Sequence, residues 1–285
     1  MKYLREKIIR FGSGYLDADI YELNDEYEPP LRRSKRIRIS PPHIVTANDR
    51  HSRNQLRQLI VHNFGAGDYY ITATYAEEPE PQDAQREIAN YITRLRRLYT
   101  KHGIEFRAIY VTEGGKAKKD GTRTRIHHHI VVNGGVPRDE VERCWNKSRK
   151  SDTTKRGFCN TALIQPQEDE RGCERIAEYM AKSRSKNLGK GTRRWNATRN
   201  IKRPVETIRD NKLSRRRTDE IIETGHGFAH VFADSKAIKE VILSEQWEKL
   251  RRLLEWRYKQ EVIDMTAQIT PFGQVYISAR FRKKE

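Results

Sequence analysis

The densest cluster of reactive side chains is Arg125-Ile126-His127-His128-His129-Ile130-Val131-Val132. The apolar, β-branched residues after the histidines predict a strand over residues 126–132, and in a strand alternate side chains share a face. His127 and His129 then point one way and His128 the other. Two imidazoles with one residue between them on a rigid sheet make a platform for a divalent metal ion. A third ligand should come from a neighbouring strand, and Glu113 ends the strand one hairpin earlier, within reach of the same face. Two histidines and a carboxylate leave positions open for water and a phosphate oxygen, so a metal held there would act on a phosphate as a Lewis acid. The plainer alternatives are a polar strand face or histidines that contact RNA.

A second cluster lies further along. Cys173, Ile176, Ala177 and Met180 recur at i, i+3, i+4 and i+7, the buried stripe of a helix expected over residues 169–186. Tyr179 falls at the edge of that stripe. Arg175 and Lys182 lie about one turn either side of it, with Lys186 beyond. The phenol oxygen can thus face a surface that attracts phosphate, and a tyrosine so placed can serve as a covalent nucleophile. Lys182 would orient the phosphate or assist the leaving group. A single tyrosine among thirteen is more often a packing residue; the position of Tyr179 after the histidine strand is what singles it out.

The elements that must position these groups read as an α+β domain. Residues 49–63 predict a helix with Gly65 and Gly67 after its end, and residues 69–75 a strand rich in aromatic and β-branched residues. Asp83 can cap a helix running to about residue 102, with Ile88, Tyr91, Ile92, Leu95, Leu98 and Tyr99 on one face and Gly103 as its stop. Strands are expected over 106–112 and 158–164, and Pro137 opens a helix carrying Val141, Cys144 and Trp145. Strands joined by hairpins with helices between them predict an antiparallel central sheet flanked by helices. Residues 1–47 read as an irregular extension, an acidic block followed by Pro29-Pro30 and a basic run. Residues 191–285 read as a basic linker and a mainly helical C-terminal region, with one long helix over 235–260 and a short strand over 274–281.

Composition bounds the partners. The chain of 285 residues carries a formal net charge of +18. Residues 182–217 hold fourteen Lys or Arg against Glu206 and Asp210, which is +12 of that total. Such a concentration is the electrostatic footprint of phosphate binding. Arg193, Arg194 and Trp195 within it, with Arg125 and Arg175, are the nucleic-acid contacts expected, the tryptophan offering a face on which bases stack. The three cysteines are widely spaced without a Cys-x-x-Cys pair, which speaks against a disulfide framework or thiolate zinc site and for a reducing cytosol. No apolar run suits a membrane span, and no apolar segment follows Met1-Lys2-Tyr3-Leu4-Arg5 as in a secretory signal.

Taken together, these residues resemble the HUH endonucleases, in particular the rolling-circle replication initiators of single-stranded phages and plasmids. Tyr70-Ile71-Thr72-Ala73-Thr74-Tyr75 is similar to the family's Thr-rich first motif. His127-His128-His129 matches the His-hydrophobe-His motif, Glu113-Gly114 the acidic residue that precedes it, and Tyr179-Met180-Ala181-Lys182 the Tyr-x-x-Lys motif. The resemblance spans about residues 50–190, and on its terms residues 48–190 are the endonuclease domain. His128 stands where the family has a bulky apolar residue, so a register slip would shift the ligand pair. Position 175 is Arg where two-tyrosine initiators carry their other tyrosine, so one nucleophile is expected on this helix.

The resemblance implies that Tyr179 attacks an origin phosphodiester, leaving a 5′-phosphotyrosine and a 3′-OH that primes synthesis, and that the strand is later rejoined. It implies Mg²⁺ or Mn²⁺ on Glu113, His127 and His129. It further implies single-stranded origin DNA as substrate, a host helicase and polymerase as partners, and the cytoplasm of a bacterial host as location. A relaxase or single-strand transposase of the same chemistry, and a non-catalytic nucleic-acid-binding protein, are the competing readings. No Gly-x-x-x-x-Gly-Lys-Ser/Thr pattern occurs, so a fused helicase is not supported.

Overall fold

In the computed structural model, residues 2–24, 42–115, 124–146, 156–165, 173–183, 194–211 and 235–283 are described. The chain divides into two units, residues 40–203 and the discontinuous pair 1–39 with 204–285. The architecture is α+β, and each unit is built on a five-stranded antiparallel sheet.

The smaller unit begins with β1 (Lys2–Phe11) and β2 (Tyr15–Asn24), an antiparallel hairpin turned at Gly12-Ser13-Gly14. Gly14 has φ +116°, and a Cβ there would meet the Lys283 Cβ at 2.9 Å, so glycine is required. The expectation of an irregular extension fails here. Leu4, Ile8, Leu16, Ala18 and Ile20 are buried, each alternating with a polar neighbour. The acidic residues taken for a solvated tail are mostly the outward half of that period-two pattern.

The larger unit (residues 40–203) contains α1 (Pro42–Asn63), β3 (Tyr69–Thr74), α2 (Pro81–Lys101), β4 (Ala108–Glu113), β5 (His127–Val132), α3 (Arg138–Asn146), β6 (Cys159–Leu163), α4 (Glu174–Ser183) and β7 (Asn196–Ala197). Its sheet runs β6-β3-β5-β4-β7. Helix α2 starts on Pro81 and ends before Gly103, whose φ is +70°. Its apolar stripe joins Val141 and Trp145 of α3 over Ile71, Ala73, Ile130 and Val132, closing one face of the sheet. Helix α1 packs on α4, where Cys173 donates to the Phe64 carbonyl at 3.1 Å, and α4 lies against β4.

The remaining elements belong to the smaller unit: β8 (Val205–Asn211), α5 (Ser235–Leu243), α6 (Trp247–Tyr258), β9 (Glu261–Ile269) and β10 (Val275–Arg282). They complete a sheet in the order β8-β1-β2-β10-β9, so the two chain ends fold together. Residues 194–211, expected as linker, instead supply β7 to one sheet and β8 to the other. The C-terminal region is helical over 235–258, but in two pieces broken at Glu245 (φ +53°), and a β9–β10 hairpin follows. Ile238, Leu250, Leu253 and Leu254 cover the sheet face carrying Leu4, Ile8, Ile20 and Ile277. Two carboxylates are buried on that face: Glu6 bonds Arg257 and the Tyr258 hydroxyl, and Glu22 lies 2.8 Å from Lys239. Among the described residues no helix is long and apolar enough to cross a membrane.

Candidate active site

The sheet register brings distant residues into rows. Glu113 on β4 opposes His127 on β5, which opposes Thr74 on β3. In the next row on the same face, Val111, His129, Thr72 and Asn160 oppose one another. Opposed residues of antiparallel strands share a face, so Glu113, His127 and His129 converge on the side away from α2 and α3. Glu113 Oε2 lies 3.0 Å from His127 Nε2 and 3.2 Å from His129 Nε2, and the three donor atoms all fall within 4.8 Å of one another.

The outer nitrogens of both imidazoles are engaged. His127 Nδ1 is 3.1 Å from the Arg125 carbonyl, which can only accept, so Nδ1 carries the proton and Nε2 the lone pair. His129 Nδ1 is 2.6 Å from the Tyr70 hydroxyl. If Nδ1–H donates to that oxygen, the Nε2 lone pair of His129 is likewise aimed at Glu113. Burial and the neighbouring His127 hold the His129 pKa below its usual value, against the pull of Glu113. The neutral imidazole is the form that binds a metal. Lone pairs facing one carboxylate oxygen repel unless a cation lies between them. Two donors about 2.1 Å from one ion and at right angles stand about 3.0 Å apart, close to the separations seen. Glu113, His127 and His129 therefore fit a divalent ion.

His128 has the opposite fate. It is fully buried under α3, with Nε2 2.8 Å from the Tyr75 hydroxyl, Nδ1 2.9 Å from the Thr112 hydroxyl and its ring 5.9 Å from Trp145. Burial pushes its pKa down to about 3, so it is a neutral core residue in the place of an apolar one. This settles the register question: the ring pair on the open face is His127 with His129.

Helix α4 carries Tyr179 to the same place. Its ring centre is 5.0 Å from that of His129, nearly perpendicular to it, and the side chain is 49% exposed. The buried side of the helix is Ala177, Met180 and Ala181. Arg175 and Lys182 are exposed on α4; Lys186 and Arg193 lie outside the described residues. The other residues assigned to nucleic-acid contact are tied into the fold. Arg125 donates to the Tyr75 carbonyl at 2.6 Å, Arg194 pairs with Asp49 at 2.6 Å, and the Trp195 indole donates to the Ser52 hydroxyl at 3.2 Å.

The sequence reading missed Tyr70, Tyr75 and Thr112 as partners of the histidines. Tyr70 is two residues before Thr72, which opposes His129. The alternation was legible, but which strand lay beside β5 was not.

Residues 68–187 match the family model of the replication-associated protein ORF2. That stretch contains β3 to α4, and with them Tyr70, Glu113, the histidine strand and Tyr179. It is similar to replication-associated proteins over this length, and it includes nothing of the smaller unit. No curated protein and no solved structure matches the chain.

Proposed function

We propose that this protein is a replication initiator that nicks single-stranded origin DNA with a single tyrosine, Tyr179, and afterwards rejoins the strand. The observation that carries the reading is the approach of the Tyr179 ring to within 5.0 Å of His129, on the face where Glu113, His127 and His129 converge. The similarity of residues 68–187 to replication-associated proteins supports the substrate class.

In this mechanism the Tyr179 oxygen attacks the phosphorus. Its bond to phosphorus forms as the bond to the 3′-oxygen breaks, leaving a 5′-phosphotyrosine and, once that oxygen takes a proton, a free 3′-OH. Rejoining is the reverse: a 3′-OH attacks the phosphotyrosine and Tyr179 is released with a proton. The exchange of one phosphodiester for another needs no external energy source. Glu113, His127 and His129 would hold Mg²⁺ or Mn²⁺, and the mixed nitrogen–oxygen set suits Mn²⁺ better than an ion that prefers oxygen alone. Such an ion, when bound, supplies Lewis-acid stabilisation of charge on the phosphate. Tyr70 and the Arg125 carbonyl keep the two imidazoles oriented, and Lys182, one turn beyond Tyr179, steadies the phosphate. The DNA must be single-stranded for its phosphate to reach this face. A host helicase and polymerase would then be the partners, acting in the cytoplasm of a bacterial host.

The test is incubation with circular single-stranded phage or plasmid DNA and Mn²⁺, followed by denaturing electrophoresis. A covalent protein–DNA adduct that disappears with EDTA and with Tyr179→Phe is the expected outcome. Unchanged adduct in Tyr179→Phe would assign the nucleophile elsewhere, and no adduct with any origin-bearing DNA would leave a binding protein.

A further inference from the structure

The row that holds Glu113, His127 and Thr74 continues one strand further. The β3–β6 ladder extends beyond the end of β6: the Thr74 amide donates to the Phe158 carbonyl at 2.8 Å, and the Ala76 amide to the Arg156 carbonyl at 2.8 Å. Both bonds keep the register in which Ala73 opposes Cys159. Phe158 therefore opposes Thr74, and the row reads Glu113, His127, Thr74, Phe158 across four strands. Cys159 is buried towards α2, so its neighbours Phe158 and Asn160 turn to the metal-ligand face. Both are exposed, Phe158 by 68%.

This phenylalanine is held on a fixed backbone. Its carbonyl accepts from both the amide and, at 3.2 Å, the hydroxyl of Thr74. The residue before it is Gly157, where a Cβ would stand 2.1 Å from the Thr74 carbonyl oxygen, so the chain is drawn against β3 as only glycine allows. An aromatic ring presented to water from a rigid edge gains nothing from folding. Two strand spacings of about 4.8 Å put its backbone about 10 Å from that of His127. That is the reach of a nucleotide adjoining a phosphate held between Tyr179 and the histidines. Thr72, Thr74 and the exposed Asn160 lie between them, short polar side chains that leave room for a sugar and can bond a base edge or phosphate.

We infer that Phe158 is a nucleobase-stacking subsite, which seats the base beside the scissile phosphate and so sets how the strand crosses the sheet. The inference rests on the nickase reading for the strand it positions. Stacking is tolerant of base identity, because every base has a π-face. The subsite therefore selects for an unpaired base and not for a sequence.

The experiment compares the full chain with Phe158→Ala and Phe158→Trp, using fluorescence anisotropy in EDTA. One probe is a labelled oligothymidylate of about 12 nucleotides, and the other an abasic oligomer of the same length, with the same phosphates and no bases. Phe158→Ala should bind oligothymidylate about tenfold more weakly, within the range for loss of one base–aromatic stack. Phe158→Trp should bind it like wild type, and all three proteins should bind the abasic oligomer alike. Equal affinity of wild type and Phe158→Ala for oligothymidylate would overturn the inference. So would an equal loss on both probes, which would mark a general disturbance of the surface. Because no cleavage is read, failure here leaves the adduct assay standing, and failure of the adduct assay leaves this measurement interpretable.

Discussion

His128 offers a direct measure of how the active-site strand is seated. The free imidazole titrates near 6.5, whereas burial depresses the folded value to about 3. A depressed value means that the folded state resists protonation. Its stability contribution is whole above the unfolded pKa and is lost as the pH falls through 6.5 towards 3. Between about pH 7 and 5 the unfolded chain gains most of a proton at this position and the folded chain none, which costs about 2 kcal/mol of stability. The Tyr75 and Thr112 hydroxyls can each donate or accept, so the hydrogen bonds tolerate either ring state and burial alone sets the penalty. The assay is hydrogen exchange at the Ile130 and Val132 amides of β5, in EDTA, on wild type and His128→Gln. The opening free energy of wild type should fall by about 2 kcal/mol more than that of the variant over this pH interval. Parallel pH dependences in the two proteins would refute the placement of His128 in the core, and with it the assignment of His127 and His129 to the open face.

Two further outcomes test other parts of the molecule. Tyr70→Phe keeps the ring but removes the hydroxyl at His129 Nδ1, so Mn²⁺ affinity measured by calorimetry should drop by about 10- to 100-fold while thermal stability changes little; unaltered affinity would remove Tyr70 from the site. In the smaller unit, Arg257→Met takes a cation from the buried Glu6 and should cost about 3 kcal/mol in urea unfolding. Adding Glu6→Leu should recover much of that loss, and a double variant as unstable as the single one would show that the pair is not what matters there.

Much of the larger unit was legible because its elements are locally consistent. Helix α2 announces itself through Pro81, a stripe from Ala84 to Tyr99 and Gly103, signals set by sequence neighbours. The ligand triad was legible for the same reason, since a hairpin makes Glu113 and His127 neighbours. The smaller unit was not legible. Its β1–β2 hairpin alternates apolar with charged residues, and the acids on the outward positions looked like a solvated tail. Its remaining strands come from the other end of the chain, and no local pattern reports such a pairing. The basic stretch misled in a related way: Arg194 and Trp195 carry the composition of a nucleic-acid contact, yet Asp49 and Ser52 of α1 hold them in the fold.

By itself, then, the sequence determined which residues are chemically able to act, and the period-two alternation that sends His127 and His129 one way and His128 the other. Tertiary structure alone decided which side of the sheet was left open, that Tyr70 would hold His129, and that Tyr179 and Phe158 would border the same ligands. The physical reason is range. Propensity and alternation act over a few residues, whereas the contacts of Tyr179 with His129 and of Phe158 with Thr74 join segments 50 and 84 residues apart. Only strand pairing and helix docking bring such segments together.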